Sequence, residues 1–363
     1  MDIRRNLYRL SPASVAQFTA ALNTLKGNGA YDMLIHHHHE AMMDPSRMAG
    51  ETSATTSRNS AHRGPAFGPW HRYFLRDLEV QLQGVTAGLT LPYWDWATDA
   101  ALVDPRNAPV WSAPYLGGDG AAPDDYVPNG PFQNWTGLVM TTGMALVPRA
   151  TPGLVRRLGR DPGGFPTLPT ASEVTNSMAE PTYDSTPWSE SQTTAPSFRN
   201  RVEGWLRHAG EPPEPRMHNR VHTWVGGDML AGTSPNDPVF FLHHANVDRL
   251  WAQWQAAHPA LPYVPAAAGP PGHNLNDAMR DLGAAGITPA TMLDHYAMGY
   301  MYDTEGLAFA ASECGASAPL NVTRGASVQL QACFSNTGTA SWVRGSATQV
   351  DLVPAPLHAP SPS

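Results

Sequence analysis

Two histidines four residues apart, in Met217-His218-Asn219-Arg220-Val221-His222, share one face of a helix and can hold one metal ion together. Zinc proteases place a glutamate directly after the first histidine of such a pair. Here that position is Asn219, which argues against that chemistry. A second cluster, Phe240-Phe241-Leu242-His243-His244-Ala245, sets two imidazoles in an apolar helix start, where burial is costly unless they are satisfied. A third ligand from this pair, added to His218 and His222, makes a three-histidine site with an open coordination position. In the first third of the chain, His62 and His71 flank a Gly/Pro-rich turn, and a run of four, His36-His37-His38-His39, lies upstream. On a helix only one or two of those four can face the same interior point. Three early and three late histidines therefore predict two sites. Neutral imidazole suits copper, zinc, iron or nickel, and the lack of a carboxylate ligand favours copper over a di-iron centre.

The elements that must position these groups read as mainly helical. Ser11-Pro12 is a helix start, followed by Val15, Phe18, Leu22 and Leu25 at helical spacing up to Gly27. A second helix is expected from Tyr31 through His39, and a third after His71, with Phe74, Leu75, Leu78 and Leu82 on one face. Further helices are expected at Phe198–Arg207, Met217–Val225 and Pro238–Ala257, the last with Val247, Leu250, Trp251 and Trp254 as a stripe. Leu91-Pro92-Tyr93-Trp94-Asp95-Trp96 reads as core. Residues 100–195, rich in Pro, Gly, Ser and Thr, read as long ordered loops, and Pro262–Gly272 as a linker-like break. From about Thr304 the pattern changes. Val328, Leu330, Ala332 and Phe334 alternate with polar residues, Asn336-Thr337-Gly338 reads as a turn, and Val350 and Leu352 alternate again. The expected organisation is a catalytic domain at 1–304 and a short β-rich extension at 305–363, acting as a cap or as a lid that sets Phe334 or Trp342 over the site.

Composition bounds the rest. With 363 residues, 15% charged and 42% apolar, the chain can bury a large core. A net charge of −8 gives no reason to expect nucleic acid or an anionic membrane as partner. No apolar run spans a bilayer, and no signal peptide follows Arg4-Arg5, so the compartment is left open: cytoplasmic, or exported through a cleaved leader or a partner. The two cysteines, Cys314 and Cys333, form one disulfide or stay as thiols, and cannot build a Cys-rich metal site.

Tyr31-Asp32, His38, His62-Arg63, Pro69-Trp70-His71-Arg72, Phe74-Leu75, Leu91 to Trp96, His218 to Gly227 and Ser234 to His244 occur in an order that resembles the bacterial tyrosinases. The match runs from about residue 3 to 304. The resemblance implies a type 3 copper protein with a four-helix-bundle core holding a dinuclear copper site. Copper A falls to His38, His62 and His71, with His37 or His39 still open, and copper B to His218, His222 and His244. His243, beside the ligand, and Gly232, after the copper B helix, are then expected at the substrate entrance. Dioxygen is the implied co-substrate, small phenols the substrates, and a small helper protein the implied partner for copper loading or export. Residues 40–61 and 208–217 look longer than in compact family members, so substrate preference transfers less well than the metal site.

The resemblance implies ortho-hydroxylation of monophenols and oxidation of o-diphenols to o-quinones. A phenol has a pKa of about 10, so its ionisation at neutral pH costs about 4 kcal/mol and calls for a base. By resemblance, Asn219 and Glu203 jointly hold a water for that role. Asp248 is either a carboxylate supporting the ligands or an ion-pair partner of Arg249. Three rival readings use the same residues: a catechol or o-aminophenol oxidase, a dioxygen carrier, and a zinc hydrolase. Activity on a monophenol beside its catechol and an aminophenol separates the first, turnover the second and metal analysis the third.

Overall fold

The computed structural model of the chain describes residues 2–189, 196–204, 217–305, 311–313 and 334–336. The chain divides into two compact units, Met1–Tyr302 and Asp303–Ser363. The first holds eight helices among the described residues: α1 (Pro12–Gly27), α2 (Ala30–Met43), α3 (Phe67–Val85), α4 (Trp96–Asp99), α5 (Ala171–Met178), α6 (Phe198–Glu203), α7 (His218–Val225) and α8 (Val239–Ala257). The Ser11 hydroxyl accepts from Ser14 N–H at the start of α1, as the Ser-Pro signal predicts. Gly29, at φ 83°, turns the chain from α1 into α2.

The four helices that matter for function are α2, α3, α7 and α8. Contacts of α3 with α8, α2 with α3, and α7 with α8 bring them together, while α1 backs onto α2 and α3. Helix α8 is buried on every side for most of its length, from Val239 through Ala252. A helix so apolar all round belongs at the centre of a core. Trp94 and Trp96 are buried as expected, and the Trp94 indole donates to Asp99 Oδ2 at 2.6 Å.

Several boundaries differ from expectation. Helix α3 starts at Phe67, so His71 lies inside it; Pro69 is tolerated because the first helical turn has no intrahelical partner for its nitrogen. Helix α6 stops at Glu203, where Gly204 takes φ 100°, instead of running to Arg207. Residues 262–272 are no linker: Tyr263 is buried and donates to His273 O, and His273 accepts from Ala66 N–H at 3.0 Å. Within the expected loops, Thr170 and Glu173 form a capping box that opens α5.

Of six short strands among the described residues, β1 (Asp2–Arg4) pairs in parallel with β4 (Tyr300–Tyr302), joining the two ends of the first unit. Strands β2 (Leu138–Met140) and β3 (Leu146–Pro148) form a hairpin whose Leu138 backbone is gripped by the Asn236 amide. In the second unit β5 (Ala311–Glu313) pairs antiparallel with β6 (Phe334–Asn336). Phe334 lies in a strand, as its alternation predicts, and Thr337 and Gly338 of the expected turn lie outside the described residues. Trp342, Cys314 and Cys333 lie outside the described residues.

Candidate metal centre

Helix α2 buries Tyr31, Leu34, Ile35, His38 and Ala41, a stripe of helical period. That stripe selects among the four consecutive histidines: His38 is 2% exposed, whereas its three neighbours retain more surface. His71 points inward one turn into α3, and His62 reaches the same place from the preceding loop. The candidate ligand atoms of His38, His62 and His71 lie within 4.8 Å of one another. A second group of equal compactness joins His218 and His222 of α7 to His243 and His244 of α8. The two groups abut, with the rings of His71 and His244 stacked at 4.3 Å and 15°.

Hydrogen bonds fix which nitrogen four of the six rings offer. Nδ1 of His38 donates to Gly232 O at 2.6 Å, that of His71 to Phe67 O at 2.8 Å and that of His222 to Met229 O at 2.7 Å. His218 Nδ1 donates to Asn219 Oδ1 at 2.9 Å. Each bond leaves Nε2 bare, the arrangement that metal-ligating histidines use. Nε2 of His38 and of His71 is buried without a hydrogen-bond partner. Nε2 atoms of His218, His222 and His244 stand 3.0, 3.2 and 3.3 Å apart. Nε2 of His218 and of His222 are bare acceptors, and imidazole nitrogens so close suit a cation placed among them. A point equidistant from the three is about 1.8 Å from each, near the roughly 2.0–2.1 Å of a metal–imidazole bond. The residues present fit a metal ion at each group.

Burial keeps these rings neutral, the state that binds metal. It lowers His38 to about 3 and His222 to about 4. Burial, with the charge of neighbouring imidazoles, holds His62, His71, His218 and His244 well below the ordinary value.

A cavity of about 170 Å³ opens onto His38, His62, His218 and His222, with Asn219 and Thr223 in its wall. An engineered cavity of about 150 Å³ admits benzene, so one phenol ring fits here. Asn219 Nδ2 is buried and has no hydrogen-bond partner, leaving a donor for a guest. Glu203 is fully buried and is not among the residues lining this cavity; its Oε1 accepts from Arg63 N–H and its Oε2 from Arg199 Nη1 at 2.8 Å. His243 does not reach the entrance expected of it. It is 0% exposed, because the α8 position before His244 turns into the core, and its ring stacks on His218 at 5.1 Å. Gly232 borders an adjoining groove with His39 and Met42, and its carbonyl anchors His38. Asp248 pairs with Arg72 and Arg4 rather than with Arg249, which turns to Asn246 and Asp95.

Sequence reasoning missed Phe240, whose ring stacks on His244 at 4.0 Å and meets His38 edge-on. Its place four residues before His244 was the available signal. It also missed the carbonyls of Gly232, Phe67 and Met229, which carry no side-chain signature.

Two adjoining histidine groups on a helical core are the ligand sets that a dinuclear metal site requires. The profile described as "Common central domain of tyrosinase" matches residues 28–257. The tyrosinase of Streptomyces glaucescens is 39% identical over 309 residues, covering 84% of this chain and 100% of that protein. Among solved structures, a polyphenol oxidase mutant from Thermothelomyces thermophila matches with a TM-score of 0.58 at 23% identity, over 80% of this chain and 85% of that one. A functional unit of octopus hemocyanin matches at 0.51 and 20%, over 85% and 69%, a likeness of fold alone. The chain belongs to the tyrosinase family, whose members carry a type 3 dicopper centre.

Proposed function

We propose that the chain is a phenol oxidase that hydroxylates monophenols ortho to the hydroxyl and oxidises o-diphenols to o-quinones, using dioxygen. His38, His62 and His71 hold copper A, and His218, His222 and His244 hold copper B. When bound, the two coppers supply dioxygen activation and accept the electrons of phenol oxidation. One observation carries this reading: two buried histidine groups adjoin, and four of the six proposed ligands have Nδ1 tied back so that Nε2 is bare.

The chain's own residues do the rest. The cavity wall orients one aromatic ring against the exposed edges of His38, His62, His218 and His222. Asn219 Nδ2 donates to a water that takes the phenol proton. Glu203 holds the Arg63 N–H and so fixes the loop that presents His62. Glu203, expected to share that water with Asn219, has both carboxylate oxygens engaged, by Arg63 and by Arg199.

The test is to load metal-free protein with copper and measure metal per chain together with dioxygen uptake on a monophenol, its catechol and an o-aminophenol. Two coppers per chain and turnover of the monophenol support the reading. Catechol or aminophenol turnover alone supports the diphenolase reading, which the occupied Glu203 carboxylate favours; copper binding without turnover overturns both.

A further inference from the structure

The cavity over the proposed ligands takes one aromatic ring, so a larger phenol must send the rest of itself elsewhere. With the phenol oxygen facing the ligands, the substituent that points away from them is the one para to it, which also leaves both ortho carbons free. Beside the cavity lies an open groove of about 390 Å³, more than twice its volume. Met42 and Ala231 line both spaces, so a molecule seated on the ligands reaches the groove by passing over these two side chains. Gly232 adds no side chain at that step. A Cβ there would stand 3.2 Å from His39 Nδ1 and 3.3 Å from Met42 Cβ, tighter than ordinary contact.

The groove has the chemistry of an aromatic-binding surface. Met43, at the end of α2, and Met140, on β2, line it at 52% and 51% exposure, leaving apolar surface in water. Thioethers are flexible and make favourable contacts with ring edges, so they adapt to flat guests of varied outline. The two charged side chains in the wall, Arg149 and Asp228, form an ion pair. Arg149 Nη1 also donates to Gly153 O, and Asp228 Oδ2 accepts from Val155 N–H, each at 2.9 Å. Neither is left for the ammonium and carboxylate of an amino acid, whose desolvation here would go uncompensated. His39 Nδ1, buried without a hydrogen-bond partner, offers a single hydrogen bond. We propose that this groove is the subsite for the para substituent, and that the preferred phenols carry an apolar aromatic tail rather than the charged tail of free tyrosine. The proposal rests on the phenol-oxidase reading for the place of the ring and adds the class of group attached to it.

The copper-loaded enzyme is assayed on phenol, 4-phenylphenol and tyrosine. The second ring should lower KM about tenfold relative to phenol, the gain expected of six further ligand atoms. A KM for 4-phenylphenol equal to or above that for phenol or tyrosine overturns the proposal. Met140 lines the groove and not the cavity over the ligands. Met140→Glu should therefore return the KM for 4-phenylphenol to about that of phenol, leaving KM and kcat for phenol itself unchanged. Met140→Leu, which keeps the wall apolar, should retain the preference. A preference that survives the glutamate, or an equal change on both substrates, overturns the proposal. Should the glutamate variant fail to fold, Met43→Gln, also confined to the groove, is read by the same outcomes. Anaerobic calorimetry with the two phenols separates the two possible failures. Tighter binding of 4-phenylphenol, lost in Met140→Glu, in a protein that oxidises neither phenol refutes the phenol-oxidase reading and supports the groove as an aromatic site; equal binding of the two overturns the groove.

Discussion

A buried imidazole with one nitrogen tied to a backbone carbonyl has little choice about what the other does. His38, His71 and His222 are in that position, held by Gly232, Phe67 and Met229. Removing one such ring removes a ligand that neighbouring side chains cannot replace, since the other histidines of α2 lie off its buried stripe. His38→Ala is expected to lower bound copper from two ions per chain to about one and to abolish oxidation of any phenol; metal analysis beside an oxygen electrode checks both. Asn219 tests a different step. In the proposed mechanism its unpartnered Nδ2 holds the water that takes the phenol proton, a step on which the monophenol reaction depends more than the catechol reaction. Asn219→Ala should depress monophenol turnover at least about tenfold more than catechol turnover, a ratio corresponding to about 1.4 kcal/mol. Equal losses on both substrates rule out the water-holding role.

At the scale of elements, the spacing between the two histidine groups is set by α3 and α8. Arg72 follows His71 on α3, Asp248 lies one turn after His244 on α8, and the two form a buried ion pair at 2.6 Å. The same carboxylate accepts from Tyr300 and Tyr302, each at 2.6 Å, and from Arg4 at 3.3 Å, so β1 and β4 are tied into the helix pair. Burial raises the Asp248 carboxyl, but the charges of Arg72 and Arg4 outweigh it and hold it below the usual range. Because the folded value lies below the unfolded one of about 3.9, this stabilisation is complete above about pH 4 and is lost as pH falls through the folded value. Asp248→Asn leaves two buried guanidinium groups short of a partner and should cost about 3–5 kcal/mol. Denaturant unfolding at neutral pH measures the loss, and the variant should show a shallower decline of stability in acid than the parent.

For the whole molecule, the first unit contains both partners of the β1–β4 pair and every proposed ligand. No described helix is long and apolar enough to cross a membrane. A chain ending at Tyr302 is expected to fold and to bind two coppers. If the extension acts as a lid, that truncation raises phenol turnover; if it acts as a cap, the melting temperature falls and turnover does not rise. Both quantities come from one preparation.

Much of the site was legible because its signals are local. His218 and His222 stand one turn apart, Ser11-Pro12 opens a helix, and the order of motifs carries the family; all are properties of residues near one another in the chain. Sequence alone thereby determined a helical protein with two histidine groups. It chose His38 with His37 or His39 still open, placed His243 at an entrance, and offered Asp248 either a supporting role for the ligands or Arg249 as partner. Tertiary structure decided these points. The buried stripe of α2 exists only once α2 packs, the carbonyl that orients His38 lies 194 residues away, and the arginine that claims Asp248 comes from α3, 176 residues upstream. A ring's tautomer and a carboxylate's partner depend on whichever backbone and charge folding brings within about 3 Å, a distance that local periodicity does not encode.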